Sequence, residues 1–268
     1  MLYDRPTRAV TWVLVVVADL LALYGLLVAE PLTGQVIKAW SLIAAALFLL
    51  LVQDASRRAL DSALGAGIGA AVAVLGWFRA YRFDPALVMT ELRQASTSMY
   101  QAMGDASPEN RERLAQSAEL MAPVTALMPA FFFLAGVSGL LLAWRWYHIF
   151  AAEPAGIPPR PFREFTFSDH FLWVLVLGLA GTVAQVAGVL PAGDIWPANT
   201  LAVAAGLYSA RGLAVLWSIT GRWSPPVLLV ATLAVLFLSP LVFTGLLGVG
   251  VADTWLDFRR RAAAALGD

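Results

Sequence analysis

Apolar residues occur along this chain in long runs separated by short polar segments. A helix needs about 20 residues to cross hydrocarbon roughly 30 Å thick, so runs of that length are typical of membrane-spanning helices. Because the apolar runs match this length, the pattern predicts an all-α, polytopic transmembrane helix bundle that forms a single integral membrane domain over residues 1–268. The runs are 9–29, 36–53, 60–78, 121–147, 171–190, 198–220 and 225–252.

Two of these runs have distinctive sequences. The third contains Gly65, Gly67 and Gly69 among alanines, which favours close packing against neighbouring helices at the centre of the bundle. The last run is too long for one ordinary crossing and contains Ser239-Pro240, where the proline removes a backbone donor. It is predicted to form either one kinked span or a hairpin of two short arms, which gives seven or eight crossings.

The arginines of the short loops predict the orientation. With a cytoplasmic N-terminus, most loop arginines lie inside, whereas the loops around 30–37 and 191–197 have no basic residue and Lys38 is a small exception. Arg259, Arg260 and Arg261 are also inside if there are eight crossings, so the charge rule favours a terminal hairpin. The inside arginines are Arg5, Arg8, Arg57, Arg58, Arg145, Arg160, Arg163 and Arg222.

The external segment 84–120 is predicted to be helical and amphipathic. Asp84-Pro85 is a helix start signal, because an aspartate caps the first turn and a proline fits its first position. Two interpretations stay open: a lid over an outward-facing pocket, or a helical hairpin lying on the bilayer. Apolar residues recur with helical spacing at Val88, Leu92, Ala95, Met99 and Met103.

Composition agrees with a membrane protein and narrows the function. Of the 268 residues, 60% are hydrophobic and 13% charged; the formal net charge is zero, and mean hydropathy is +0.73. With one lysine and no cysteine, nucleic acid is not an expected partner, and disulfides and thiolate metal sites are excluded. His148 and His170 have no carboxylate at a metal-ligand spacing. We therefore expect no enzymatic activity, cofactor or metal site.

Two charged residues lie inside apolar runs. Asp19 is near the middle of the first run and Arg211 lies within the sixth. An ionised group in hydrocarbon costs several kcal/mol unless it has a partner or water. Both lie eleven residues from an inside arginine, about 16 Å along a helix. They are candidates for an intramembrane site or an internal strut, either paired with each other or with amides such as Gln185.

The proline-rich cytoplasmic loop 151–170 and the C-terminal segment contain candidate partner-docking residues. Dense prolines extend a linker, and aromatics beside an arginine can bind another protein or lie at the headgroups. An ordered loop packed under the bundle, and a solvated helix end, are the alternative interpretations. The candidates are Phe162, Arg163 and Phe165 in the loop, and Asp253, Asp257 and Arg259 in the C-terminal segment.

Several segments of residues 120–261 resemble one family. The stretch 207–215, the stretch from Gly248 to Arg259, and the prolines before Phe162 resemble the YybS-like bacterial membrane proteins. This resemblance implies an all-helical protein of the bacterial cytoplasmic (inner) membrane. It also implies a fold similar to the substrate-binding S-components of energy-coupling-factor vitamin transporters.

Two functional hypotheses follow. In the first, the protein is an S-component-like subunit that binds or transports a small solute, with external helices over a pocket and a coupling subunit as partner. In the second, it is a non-catalytic scaffold in cell-envelope assembly that binds envelope proteins through the proline-rich loop and the charged C-terminal segment. An intramembrane enzyme would need a converging nucleophile and base, and the sequence indicates none.

Overall fold

The computed structural model describes residues 31–54, 57–82, 84, 86–103, 123–154, 156–191, 193–220 and 238–266. In these ranges the chain forms helices and no strands. The α-helices are α1 (Leu32–Leu51), α2 (Ala59–Ala80), α3 (Ala86–Met103), α4 (Met128–Phe150), α5 (Phe171–Val186), α6 (Trp196–Thr220), α7 (Ser239–Leu256) and α8 (Phe258–Leu266), with one 3-10 turn at Phe162–Glu164.

The predicted all-α membrane class is confirmed. In the described ranges, five helices (α1, α2, α4, α6 and α7) are long and apolar enough to span a membrane, and α5 is a shorter apolar helix. The first predicted run, 9–29, lies outside the described residues, and the count of seven or eight crossings stays a prediction. The last run is interrupted where the sequence indicated, because α7 begins at Ser239 with Pro240 in its first turn.

The predicted fourth run, 121–147, is interrupted near its start. Residues 123–126 are helical, the helix breaks at Leu127, and α4 begins at Met128 with Pro129 in its first turn. A proline fits there because the first turn of a helix has backbone donors without intrahelical partners.

The chain divides into two compact units, residues 1–159 and 160–268, and the division falls within the proline-rich loop. In the first unit α2 packs against both α1 and α4. Its small residues Ala63, Ala66 and Ala70 are fully buried, which confirms that this helix is central to its unit. Whether the two units act as one integral domain stays a prediction.

The second unit is built on a helical hairpin. Gly181 lies against Trp196 and Pro197, and Gly178 lies against the backbone of Leu201. The earlier residue of α5, Gly178, therefore contacts the later residue of α6, Leu201. The two helices are therefore antiparallel, which the short connection between them requires.

Helix α7 packs on α6 through a close backbone contact. A Cβ at Gly212 would collide with the carbonyl oxygen of Leu246, and one at Gly250 would collide with the carbonyl oxygen of Tyr208. Glycines at a helix interface allow membrane helices to approach this closely, because they have no Cβ. This contact brings the last turns of α7 beside the middle of α6.

Candidate functional site

Arg211 and Asp253 form a buried ion pair between α6 and α7. The Nε of Arg211 donates to Oδ2 of Asp253 at 3.0 Å. The side chains are only 8% and 3% exposed. Removing one partner of such a pair leaves an uncompensated charge in a low-dielectric interior. The sequence predicted that Arg211 needs a partner in the membrane, and the structure pairs it with Asp253. The sequence analysis had placed Asp253 among the candidate partner-docking residues.

Two further charged residues extend this pair. The Nη1 of Arg211 donates to Oδ1 of Asp169 at 3.4 Å, and Nη2 of Arg259 lies 3.4 Å from Oδ2 of Asp253. The exposed fraction is 18% for the side chain of Arg259 and 70% for that of Asp169. We call Asp169, Arg211, Asp253 and Arg259 the charge cluster. It contains two positive and two negative groups, so the cluster as a whole has no net charge.

An aromatic ring packs on the guanidinium of Arg211. Its Cζ lies 5.7 Å from the ring centre of Phe167, a cation–π distance. Phe167 packs edge-on against Tyr208 at 5.0 Å. The hydroxyls of Tyr208 and Thr254 are buried and interact with each other, so the polar interior continues from the guanidinium into the contact between α6 and α7.

Asp253 also determines where the C-terminal helix begins. Its Oδ1 accepts a hydrogen bond from the backbone N–H of Phe258 at 3.1 Å. Asp257, between α7 and α8, has a left-handed backbone with φ of 44°. The chain therefore ends one helix and starts the next at a carboxylate that is already paired with Arg211.

Arg259 connects the C-terminal segment to the proline-rich loop. Its guanidinium donates to the carbonyl oxygens of Arg163 at 3.1 Å and Phe165 at 3.0 Å. The ring of Phe162 lies 5.7 Å from that of Phe165 and 6.5 Å from that of Trp217 on α6. The two predicted docking segments therefore contact each other within the second unit, and a docking role for them stays a prediction.

The other sequence-predicted site residues lie elsewhere. Gln185 is at the end of α5, where its Nε2 donates to the carbonyl oxygens of Pro191 at 3.2 Å and Asp194 at 2.5 Å and closes the α5–α6 loop. Asp19 lies outside the described residues, so its pairing with Arg211 stays a prediction. Arg211 already has two acidic partners.

A second polar contact joins two helices in the first unit. Glu91 on α3 accepts hydrogen bonds from the first backbone N–H groups of α1: Oε1 from Leu32 at 3.2 Å and Oε2 from Thr33 at 2.8 Å. The hydroxyl of Thr33 also donates to Oε2 at 3.0 Å. We call this contact the Glu91 bridge. A carboxylate is suited to a helix N-terminus, where N–H groups lack partners and the helix dipole is positive.

These contacts lower the pKa of Glu91. The hydrogen bond from the backbone of Thr33 is the largest cause, and it outweighs the opposing effect of burial. At the start of α3, Oδ1 of Asp84 accepts a hydrogen bond from the N–H of Ala86 at 2.9 Å, which confirms the predicted cap. Residue 85 and residues 104–120 of the predicted external segment lie outside the described residues.

Sequence reasoning missed Asp169, Phe167 and the Glu91 bridge. Asp169 could have been found from the hairpin, because it lies 17 residues before the end of α5 and Arg211 lies 15 residues after the start of α6. An antiparallel pair brings such positions together. No comparable signal exists for Glu91, since its partners are backbone groups 58 and 59 residues away.

Comparison with known proteins gives one match. The model of a family described as "Predicted membrane protein (DUF2232)" matches residues 12–254. No curated protein and no solved structure matches the chain.

Proposed function

The chain belongs to this family of predicted membrane proteins, and from that premise we propose that it is a non-catalytic, multi-pass subunit that binds or transports a small solute. The observation that supports this most strongly is the Glu91 bridge. It fastens an amphipathic helix, which is not among the candidate spans, to the end of a membrane-spanning one. A helix held in this way serves as a lid.

The alternative for α3 is an interfacial helix that lies on the bilayer. Such a helix is held by burial of its apolar face and by attraction to lipid headgroups. It gains nothing from three hydrogen bonds between one carboxylate and the end of a neighbouring span. Thr33 adds a further contact, because its hydroxyl lies 3.3 Å from the carbonyl oxygen of Val88 on α3.

The resemblance to S-components makes the proposal more specific. In this reading the protein lies in the bacterial inner membrane with a cytoplasmic N-terminus, and α3 faces outward over the solute pocket. A coupling subunit is then the expected protein partner. The charge cluster acts as the internal strut of the second unit, because its charges are balanced and its acids are hydrogen-bonded to its arginines.

A scaffold in cell-envelope assembly is the second candidate, and one observation favours it. Arg259 fixes the backbone of the proline-rich loop, while the side chains of Phe162 and Arg163 remain exposed. A preorganised exposed aromatic beside an arginine is a common feature of protein-binding surfaces.

Native mass spectrometry of the protein extracted gently from its own membranes tests the first proposal. We expect the wild-type protein to retain a small molecule, Glu91→Ala to retain less of it, and Gln94→Ala, an exposed change on the same helix, to behave like wild type. Cross-linking before extraction should also recover a coupling subunit and its ATPases. Recovery of envelope-synthesis proteins, with no ATPase and no small molecule in any sample, would favour the scaffold.

A further inference from the structure

The second unit has an open apolar groove with a volume of about 570 Å³. The only side chain in its lining with a hydroxyl is Thr244, and that hydroxyl is bonded to the carbonyl oxygen of Pro240 at 2.7 Å. Apart from the indole N–H of Trp255 at one end, the described lining offers its occupant no free polar group, so the groove suits a hydrocarbon chain. It is lined by Leu175 of α5 and by Thr244, Leu247, Gly248, Val251, Ala252, Trp255 and Leu256 of α7.

The groove has the length of one leaflet of a bilayer. From Thr244 to Leu256 it extends over twelve helical steps, about 18 Å at 1.5 Å per residue. Half of a hydrocarbon core is about 15 Å thick. Gly248 is part of its lining, and no atom of the described residues lies within 4 Å of where its Cβ would be. An extended acyl chain fits these dimensions.

One end of the groove lies at a membrane surface. The spanning helix α7 stops at Leu256, the chain turns at Asp257, and arginines follow at once. Trp255, which is 64% exposed, lies at this end, and tryptophan is enriched where hydrocarbon meets the headgroups. An occupant of the groove would therefore have its polar end here.

The charge at this end selects the headgroup. Arg259 is engaged in the charge cluster, whereas Arg260 and Arg261 have exposed side chains. Arginine forms strong paired hydrogen bonds with phosphate. Asp257 is the neighbouring exposed acid, so the positive charges exceed the negative ones.

We propose that this groove binds one anionic phospholipid. An acyl chain lies along α7 between Thr244 and Leu256, and the phosphate is bound by Arg260 and Arg261. The charges favour a lipid over a second protein helix, because an apolar helix would fill the groove without neutralising the arginines.

Lipid retention in native mass spectrometry tests this site. The protein is reconstituted in nanodiscs of phosphatidylglycerol and phosphatidylcholine with the same acyl chains, then released into detergent. We expect wild type to retain one phosphatidylglycerol in preference to phosphatidylcholine. Arg260→Gln and Arg261→Gln should each reduce that preference about fivefold, because one arginine strengthens binding to an anionic lipid surface by about this factor.

Two glycine variants separate the groove from the general lipid surface. Gly248→Leu fills the groove, whereas Gly245→Leu adds the same side chain to an equally open position of α7 outside the lining. We expect Gly248→Leu to lose both lipids and Gly245→Leu to keep them, with unchanged helix content by circular dichroism. Equal retention by the two variants, no lipid preference in wild type, or a protein dimer in place of bound lipid would overturn the proposal.

Discussion

The charge cluster and the Glu91 bridge both join separate helices through carboxylates, yet they differ in burial. Asp253 is 3% exposed and bonded to arginines, whereas Glu91 lies at a helix end and is bonded to backbone N–H groups. When a buried charge loses its partner, no water can take the partner's place. A carboxylate that binds the exposed N-terminus of another helix can be solvated by water instead. The first contact is therefore suited to a permanent strut and the second to a lid.

The strut should give the largest effect. We expect Asp253→Asn to destabilise the protein by about 3 kcal/mol, because the guanidinium of Arg211 stays buried without its closest counter-charge. The free energy of unfolding in detergent measures this. Asp257→Asn is the matched control, since its side chain is exposed and asparagine tolerates the left-handed backbone found there.

A double variant tests whether the lost stability comes from the interaction between Arg211 and Asp253. Arg211→Gln added to Asp253→Asn should recover part of the stability, with a coupling energy of roughly 0.5–3 kcal/mol. Losses that simply add would mean that Arg211 and Asp253 stabilise the protein separately.

The second effect concerns the backbone contact that positions the strut. We expect Gly212→Ala to destabilise the protein by about 1–3 kcal/mol, because its Cβ would meet the carbonyl oxygen of Leu246 and force α6 and α7 apart. Gly245→Ala has open space and should change stability little. Thermal unfolding of both variants makes the comparison, and equal midpoints would show that the two helices do not need this contact.

The two regions also differ in how far sequence could predict them. Hydropathy predicted the spans, and the price of a charge in hydrocarbon singled out Arg211. Its partner Asp253 was predicted to be a docking residue or part of a solvated helix end, because spacing along the chain cannot show that a residue 42 positions away lies beside Arg211. The Glu91 bridge gave no signal, since any helix N-terminus can accept a carboxylate. Sequence shows which groups need partners, and packing decides which partners they obtain.

The third effect tests the lid. We expect Glu91→Gln to speed amide hydrogen exchange in α3 by roughly threefold to tenfold, because a neutral amide binds the N-terminus of α1 less strongly than a carboxylate. Exchange in α2 should be unchanged. Gln94→Ala, on the exposed side of α3, is the control. Uniform faster exchange in all helices would mean that the bridge supports the whole unit and is not a lid contact.

The smallest effect is the pH dependence of this same bridge. The hydrogen bond from the backbone of Thr33 lowers the pKa of Glu91 in the folded protein. The Glu91 carboxylate therefore binds a proton more readily in the unfolded chain than in the folded protein. The stabilisation is therefore complete above the unfolded pKa of about 4.3 and is lost as pH falls through the lower folded value. The difference in unfolding midpoint between wild type and Glu91→Gln should be constant from pH 8 to 6 and shrink below about pH 4. A difference that persists in acid would assign the stabilisation to packing and not to charge, and α3 would then be held against α1 by packing alone.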